Sequence, residues 1–192
     1  MDRTLITQDR LDEIVRLCAQ APQVGWIVEL GVYKGGSLAT IAKNFPNRNI
    51  VGFDTFEGLP KEQWNDDEIH QPGDFNDTSY FEVKEFLISQ GVHNVELLKG
   101  VFPAIGKHFD ISSRNLTDRY IKKYSFVHVD FDFYEGIKAA IDFYYPKLEQ
   151  GGIMVFDDLD WGNTPGVRRA LEESGLKFQN TRAKYQGYIV KQ

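Results

Sequence analysis

With 192 residues the chain suits one domain, 1–192, able to bury roughly 70% of the surface its unfolded form would expose. Its 22 Lys plus Arg against 28 Asp plus Glu leave a net charge of -6, and the basic pairs Lys122-Lys123 and Arg168-Arg169 are too short to track phosphates, so nucleic acid is excluded as a partner. No apolar run approaches the length of about 20 residues that spans a bilayer, Met1-Asp2-Arg3-Thr4 has no secretory pattern, and the single Cys18 rules out an internal disulfide; no membrane partner and a cytoplasmic location are expected.

The first element, within residues 1–22, is an amphipathic helix from Thr7 to Ala21 with Leu11, Ile14, Val15, Leu17 and Cys18 on one side and Thr7 as candidate N-cap. Its role is packing, and Cys18 is a core thiol. Ile27 to Leu30 then reads as a buried strand and Ser37 to Ala42 as a helix, with glycines where the chain must bend between them. Asn49 to Phe53 is the second strand, ending at Asp54. Thr55 to Asp77 is rich in Gly, Pro, Asp and Asn without a sustained period; its Trp64, Ile69 and Phe75 suggest a lid, against the alternative of a mobile surface loop.

Thr78 to Gln90 is helical with Gly91 as its stop, and Asn94 to Leu98 is the third strand. Between Ala104 and Lys123 the pattern allows one or two short helices. Ser125 to Tyr134 is the fourth strand and its exit, with His128 inside a continuous apolar run and so a core residue. Tyr134 to Leu148 is a helix, Gln150-Gly151-Gly152 a turn, and Ile153 to Phe156 the fifth strand, ending in Asp157-Asp158. A helix from Gly166 to Ser174 and short runs at Leu176 to Phe178 and Tyr188 to Val190 close the chain. The fold class is α/β: a mainly parallel seven-stranded sheet with an antiparallel last strand and helices on both faces.

Chemistry gathers at the strand ends. Glu29-Leu30-Gly31-Val32-Tyr33-Lys34-Gly35-Gly36-Ser37 departs from the Gly-x-Gly-x-x-Gly of dinucleotide binders. A carboxylate there would repel a pyrophosphate but attract a zwitterionic nucleoside, and Asp54, 23 positions after Gly31, is placed to hold ribose hydroxyls. Gly31, Gly35 and Gly36 permit the bend and a close ligand. Asp130 and the pair Asp157-Asp158 end neighbouring strands. Three converging carboxylates repel unless protonated or sharing a cation, and oxygen-only ligands select Mg²⁺ first and Ca²⁺ second.

Val28-Glu29-Leu30-Gly31-Val32-Tyr33-Lys34-Gly35-Gly36-Ser37 followed by Gly52-Phe53-Asp54-Thr55-Phe56-Glu57-Gly58-Leu59-Pro60 resembles the class I S-adenosylmethionine-dependent methyltransferases, most of all the macrocin O-methyltransferase family. The resemblance runs from about residue 25 to the C-terminus; relative to the family the chain looks short before that point. It implies a Rossmann-like methyltransferase fold and S-adenosylmethionine held by Glu29, Gly31, Tyr33, Gly35, Ser37, Asp54, Thr55, Phe56, Lys99, Gly100 and Asp130, with Phe56 against the adenine and the backbone near Lys99 and Gly100 at its edge. It also implies Mg²⁺ on Asp130, Asp157 and Asp158, a small-molecule hydroxyl acceptor, possible sugar content in that acceptor, and a possible homo-dimer.

Catechol-type relatives carry a Lys base three positions after the first metal Asp; this chain has Phe133 there, which leaves Asp132, beside Asp130, as candidate base or as the cap of the helix at Tyr134. The expected function is O-methyl transfer to a small metabolite. The alternatives are a metal-independent N- or C-methyltransferase and a nucleoside-binding module without chemistry; a dehydrogenase is disfavoured by the glycine spacing.

Overall fold

The computed structural model describes residues 3–102 and 123–192, so the helices expected between Ala104 and Lys123 fall outside the described residues apart from Lys123 itself. Strands β1 (Trp26–Leu30), β2 (Ile50–Asp54), β3 (Val95–Lys99), β4 (Tyr124–Val129), β5 (Leu148–Asp157), β6 (Phe178–Asn180) and β7 (Gln186–Val190) form one seven-stranded sheet in the order β3-β2-β1-β4-β5-β7-β6. All neighbours from β3 to β5 pair in parallel, and β7 runs antiparallel to both β5 and β6. The chain order reverses beside β1, so β1 and β4 diverge into separate halves and leave a crevice at their C-terminal ends.

The two faces are covered by different helices. Val28, Leu30, Val127, Val129, Met154 and Phe156 point to one side, against Ile137, Ala140 and Ile141 of α4 (Tyr134–Tyr144) and Val167, Ala170 and Leu171 of α5 (Pro165–Glu173). Ile27, Ile50, Phe126, Ile153 and Val155 point to the other, against α1 (Gln8–Gln20), α2 (Gly36–Asn44) and α3 (Tyr80–Ser89). Each fully buried aliphatic side chain in these layers contributes about 1.5–3 kcal/mol, which is why the strands read as continuous apolar runs. His128 and Cys18 are both fully buried, as core residues should be, and burial pushes the Cys18 thiol up to about 12.

Three local readings gain detail. Thr7 occupies the N-cap of α1 but makes no cap bond, because its hydroxyl turns to Asp9. Gly151-Gly152 does not end an element: β5 starts at Leu148 and runs through the glycines, since Leu148 finds Tyr124 across the sheet and the chain takes up the slack at an irregularity before Phe126. The segment 55–77 is fastened down. Gln63 donates to the Phe102 carbonyl, the Glu68 carboxylate accepts from Tyr134 N at 2.8 Å and so caps α4, and Leu59 N donates to the Asp74 carbonyl while its own carbonyl accepts from Gly73 N. Among the described residues no helix is long and apolar enough to cross a membrane.

Candidate active site

At the C-terminal ends of β1, β2, β4 and β5 lies a hollow of about 980 Å³, counting its open mouth. Its glycine-turn wall starts at Gly31, whose φ of +89° and distance of 2.2 Å from an added Cβ to the Asp130 carbonyl oxygen admit no side chain. Past it, Asp54 ties the turn together: Oδ2 accepts from Val32 N and Tyr33 N, both at 2.8 Å, and Oδ1 accepts from Phe56 N at 2.7 Å. Those bonds fix the carboxylate in place and use much of its accepting capacity, leaving fewer lone pairs for ribose hydroxyls than a free Asp would have.

Gly31, Tyr33, Ser37, Asp54, Thr55 and Gly100 line the hollow; Glu29, Gly35, Phe56 and Lys99 do not. Glu29 is the main correction. It is fully buried on the α1 side of the sheet, where Oε1 lies 2.9 Å from His128 Nδ1 of its register partner, because strand alternation turns residue 29 away from the rim. Phe56 is buried edge-on against Tyr80, with ring centroids 5.6 Å apart, and Lys99 pairs outward with Glu57 at 2.5 Å. Aromatic walls come instead from Tyr33, Phe75, Phe102, Phe131 and Phe133.

Across the hollow, Asp130, Asp132, Asp157 and Asp158 converge. Burial first, then Asp157 and Asp158, holds Asp130 well above the ordinary carboxylate range. Burial, then Asp158, pushes Asp132 up to about 8. Burial also raises Asp157, to about 6, against the opposing pull of His128 and Arg10. Asp132 does not cap α4, a role that Glu68 takes, and His70 Nε2 of the 55–77 segment stands 3.9 Å from its Oδ1.

Among the described residues no group of three or more Asp, Glu, His or Cys side chains is arranged to hold a metal ion. Two of the expected three aspartates are instead engaged by Arg10 of α1, whose Nη1 lies 2.7 Å from Asp158 Oδ1 and 3.2 Å from Asp157 Oδ1. Asp157 Oδ2 is buried without a hydrogen-bond partner. Sequence reasoning missed Arg10, although a signal was present: Arg10 lies one turn before Ile14, on the apolar stripe of α1, where a charge has no place without a buried counter-charge. It also missed Arg3 to Ile6, which line the hollow, with the Arg3 carbonyl accepting from Gly36 N at 2.9 Å.

The strand order, the antiparallel β7, the glycine turn and the acidic rim together define a Rossmann-like methyltransferase. The chain belongs to the macrocin-O-methyltransferase (TylF) family, whose model matches residues 1–183. The O-methyltransferase NovP is similar in structure, with a TM-score of 0.78 at 21% identity over 100% of this chain and 83% of that one. The calicheamicin methyltransferase CalS11 gives a TM-score of 0.74 at 25% identity over 94% of this chain and 77% of that one. An O-methyltransferase from Bacillus cereus in complex with SAH gives 0.60 at 14% identity over 99% and 82%. No protein of curated function matches in sequence.

Proposed function

We propose that the chain transfers the methyl group of S-adenosylmethionine to a hydroxyl of a small, sugar-containing acceptor, with Mg²⁺, or Ca²⁺ second, on Asp130, Asp157 and Asp158. The observation that carries this is the meeting of four aspartates and a glycine turn at one hollow. The sugar follows from the family and from CalS11, which is described as a TDP-rhamnose 3'-O-methyltransferase.

The donor set is all oxygen: burial and the neighbouring carboxylates raise Asp130 and Asp157, a repulsion that a hard cation would relieve, and the orphaned Asp157 Oδ2 has an unused lone pair. When bound, a divalent ion would lower the acceptor hydroxyl's pKa, while the sulfonium makes its methyl group electrophilic. Asp132, whose carboxyl burial pushes up to about 8, is the base in its ionised form: the carboxylate takes the hydroxyl proton as the oxygen bonds to the methyl group and the sulfur leaves as the neutral thioether. Gly31, Tyr33, Ser37, Thr55 and Gly100 form the cofactor wall with Asp54, and Phe75, Phe102 and Phe131 keep water from the reacting atoms.

Calorimetry with S-adenosylhomocysteine, then transfer of labelled methyl to a panel of sugar hydroxyls with and without EDTA, tests the reading. Micromolar binding and EDTA-sensitive transfer are expected; no heat at high micromolar concentration would overturn it. A second reading, metal-free O-methyl transfer, is favoured by Arg10 on the aspartate pair and predicts transfer that survives EDTA.

A further inference from the structure

Arg10 is placed where α1 has no packing need for it. The buried stripe of that helix is Leu11, Ile14, Leu17 and Cys18, and an aliphatic residue at position 10 would continue it. The side chain is only 11% exposed, and besides the two aspartates it reaches Thr7 Oγ1 through Nε at 3.3 Å. A desolvated ion pair of this kind is costly to build unless both partners gain by it. The aspartates do gain: Arg10 neutralises a rim that also carries Asp130 and Asp132, with His128 and His70 as the nearby imidazoles. Arg10 bonds the Oδ1 atoms of Asp157 and Asp158 and leaves Asp157 Oδ2 bare.

Arg10 is also mechanically continuous with the segment Arg3 to Ile6 that lines the hollow. That segment is anchored at the Arg3 carbonyl on Gly36 N, by the Arg3 guanidinium 4.7 Å above the Phe86 ring, and by buried Ile6. Its other end is the first turn of α1, where the Arg10 carbonyl accepts from Gln186 Nε2 at 3.3 Å. What holds Arg10 therefore helps to hold the segment against the hollow.

We propose that Arg10 is a resident counter-cation that competes with a divalent ion for Asp157 and Asp158, so that ion binding frees the first turn of α1 and loosens Arg3 to Ile6 over the hollow. This rests on the divalent-ion reading above and adds to it a residue that sets the ion's affinity and couples it to access. The physical reason is charge. A guanidinium and a doubly charged ion on the same two carboxylates repel strongly even at an effective permittivity of about 20, whereas either alone relieves the aspartates' mutual repulsion.

Titration of Mn²⁺ followed by electron paramagnetic resonance, on the wild-type protein, Arg10→Met and Arg10→Lys, tests the inference. Arg10→Met keeps most of the side chain's volume and removes its charge; it is expected to bind Mn²⁺ at least about tenfold more tightly, with Arg10→Lys close to wild type. Equal or weaker binding by Arg10→Met overturns the competition and leaves the ion site standing. No Mn²⁺ bound by any of the three overturns both. If Arg10→Met does not fold, amide exchange over residues 4–12 of the wild-type chain decides: acceleration by Mn²⁺ supports the proposal, and no change overturns it.

Discussion

On the β1–β2 side of the hollow, Asp54 spends both carboxylate oxygens on the amides of Val32, Tyr33 and Phe56, whereas on the β4–β5 side four carboxylates crowd together and Asp157 Oδ2 has no partner. The first wall is held by its own backbone and keeps its shape with nothing bound. The second stores unfavourable charge, relieved by raised carboxyl pKa values and one guanidinium. Groups with shifted proton affinities in a cleft are candidates for proton transfer, so under the function proposed above the contrast separates a wall for binding from a wall for chemistry.

Asp132→Asn cuts into the second wall alone. Methyl transfer should fall roughly 100-fold to 10,000-fold, with S-adenosylhomocysteine affinity in calorimetry unchanged. Loss of both together would mean that the walls are not separable. Next in size is the response to pH without divalent ions. The carboxyls of Asp130, Asp132 and Asp157 are raised in the folded chain, so between the ordinary value of 3.8 and about 8 the folded state binds more protons than the unfolded one. Stability in EDTA should therefore be fullest below 3.8 as far as these groups are concerned and decline as pH rises through about 8, read from urea midpoints across the series. Added Mg²⁺ should flatten that decline.

Gly31→Ala strikes the first wall by sterics. A Cβ at φ +89°, 2.2 Å from the Asp130 carbonyl, should cost about 3 kcal/mol in denaturant unfolding. Asp54→Asn is milder: an amide turned toward backbone N–H donors should cost about 2 kcal/mol of stability, measured by the same unfolding curves, and weaken cofactor binding more than it slows transfer at saturating cofactor.

The contrast also explains what could be read in advance. The parallel strands were legible because burial on both faces leaves uninterrupted apolar runs such as Phe126-Val127-His128-Val129. The ends of those runs pointed to Asp54, Asp130, Asp157 and Asp158, and all four line one hollow. Glu29 misled because its place in the motif resembles a rim residue, yet its parity along β1 puts it beneath the sheet with His128. Phe56 misled for a related reason: with φ +53° the chain turns its ring into the α3 layer, and Phe75, nineteen residues later, fills the wall instead.

Local patterning by itself determined the order of strands and helices, the glycine turn and the acidic strand ends, because periodicity and backbone restriction act over a few residues and leave their marks in the letters. Which carboxylates share a charge, and that a guanidinium 147 and 148 positions away answers them, was decided only when α1 packed across β5. Electrostatic energy depends on distance in space and on exclusion of water, and neither is set until the layers close.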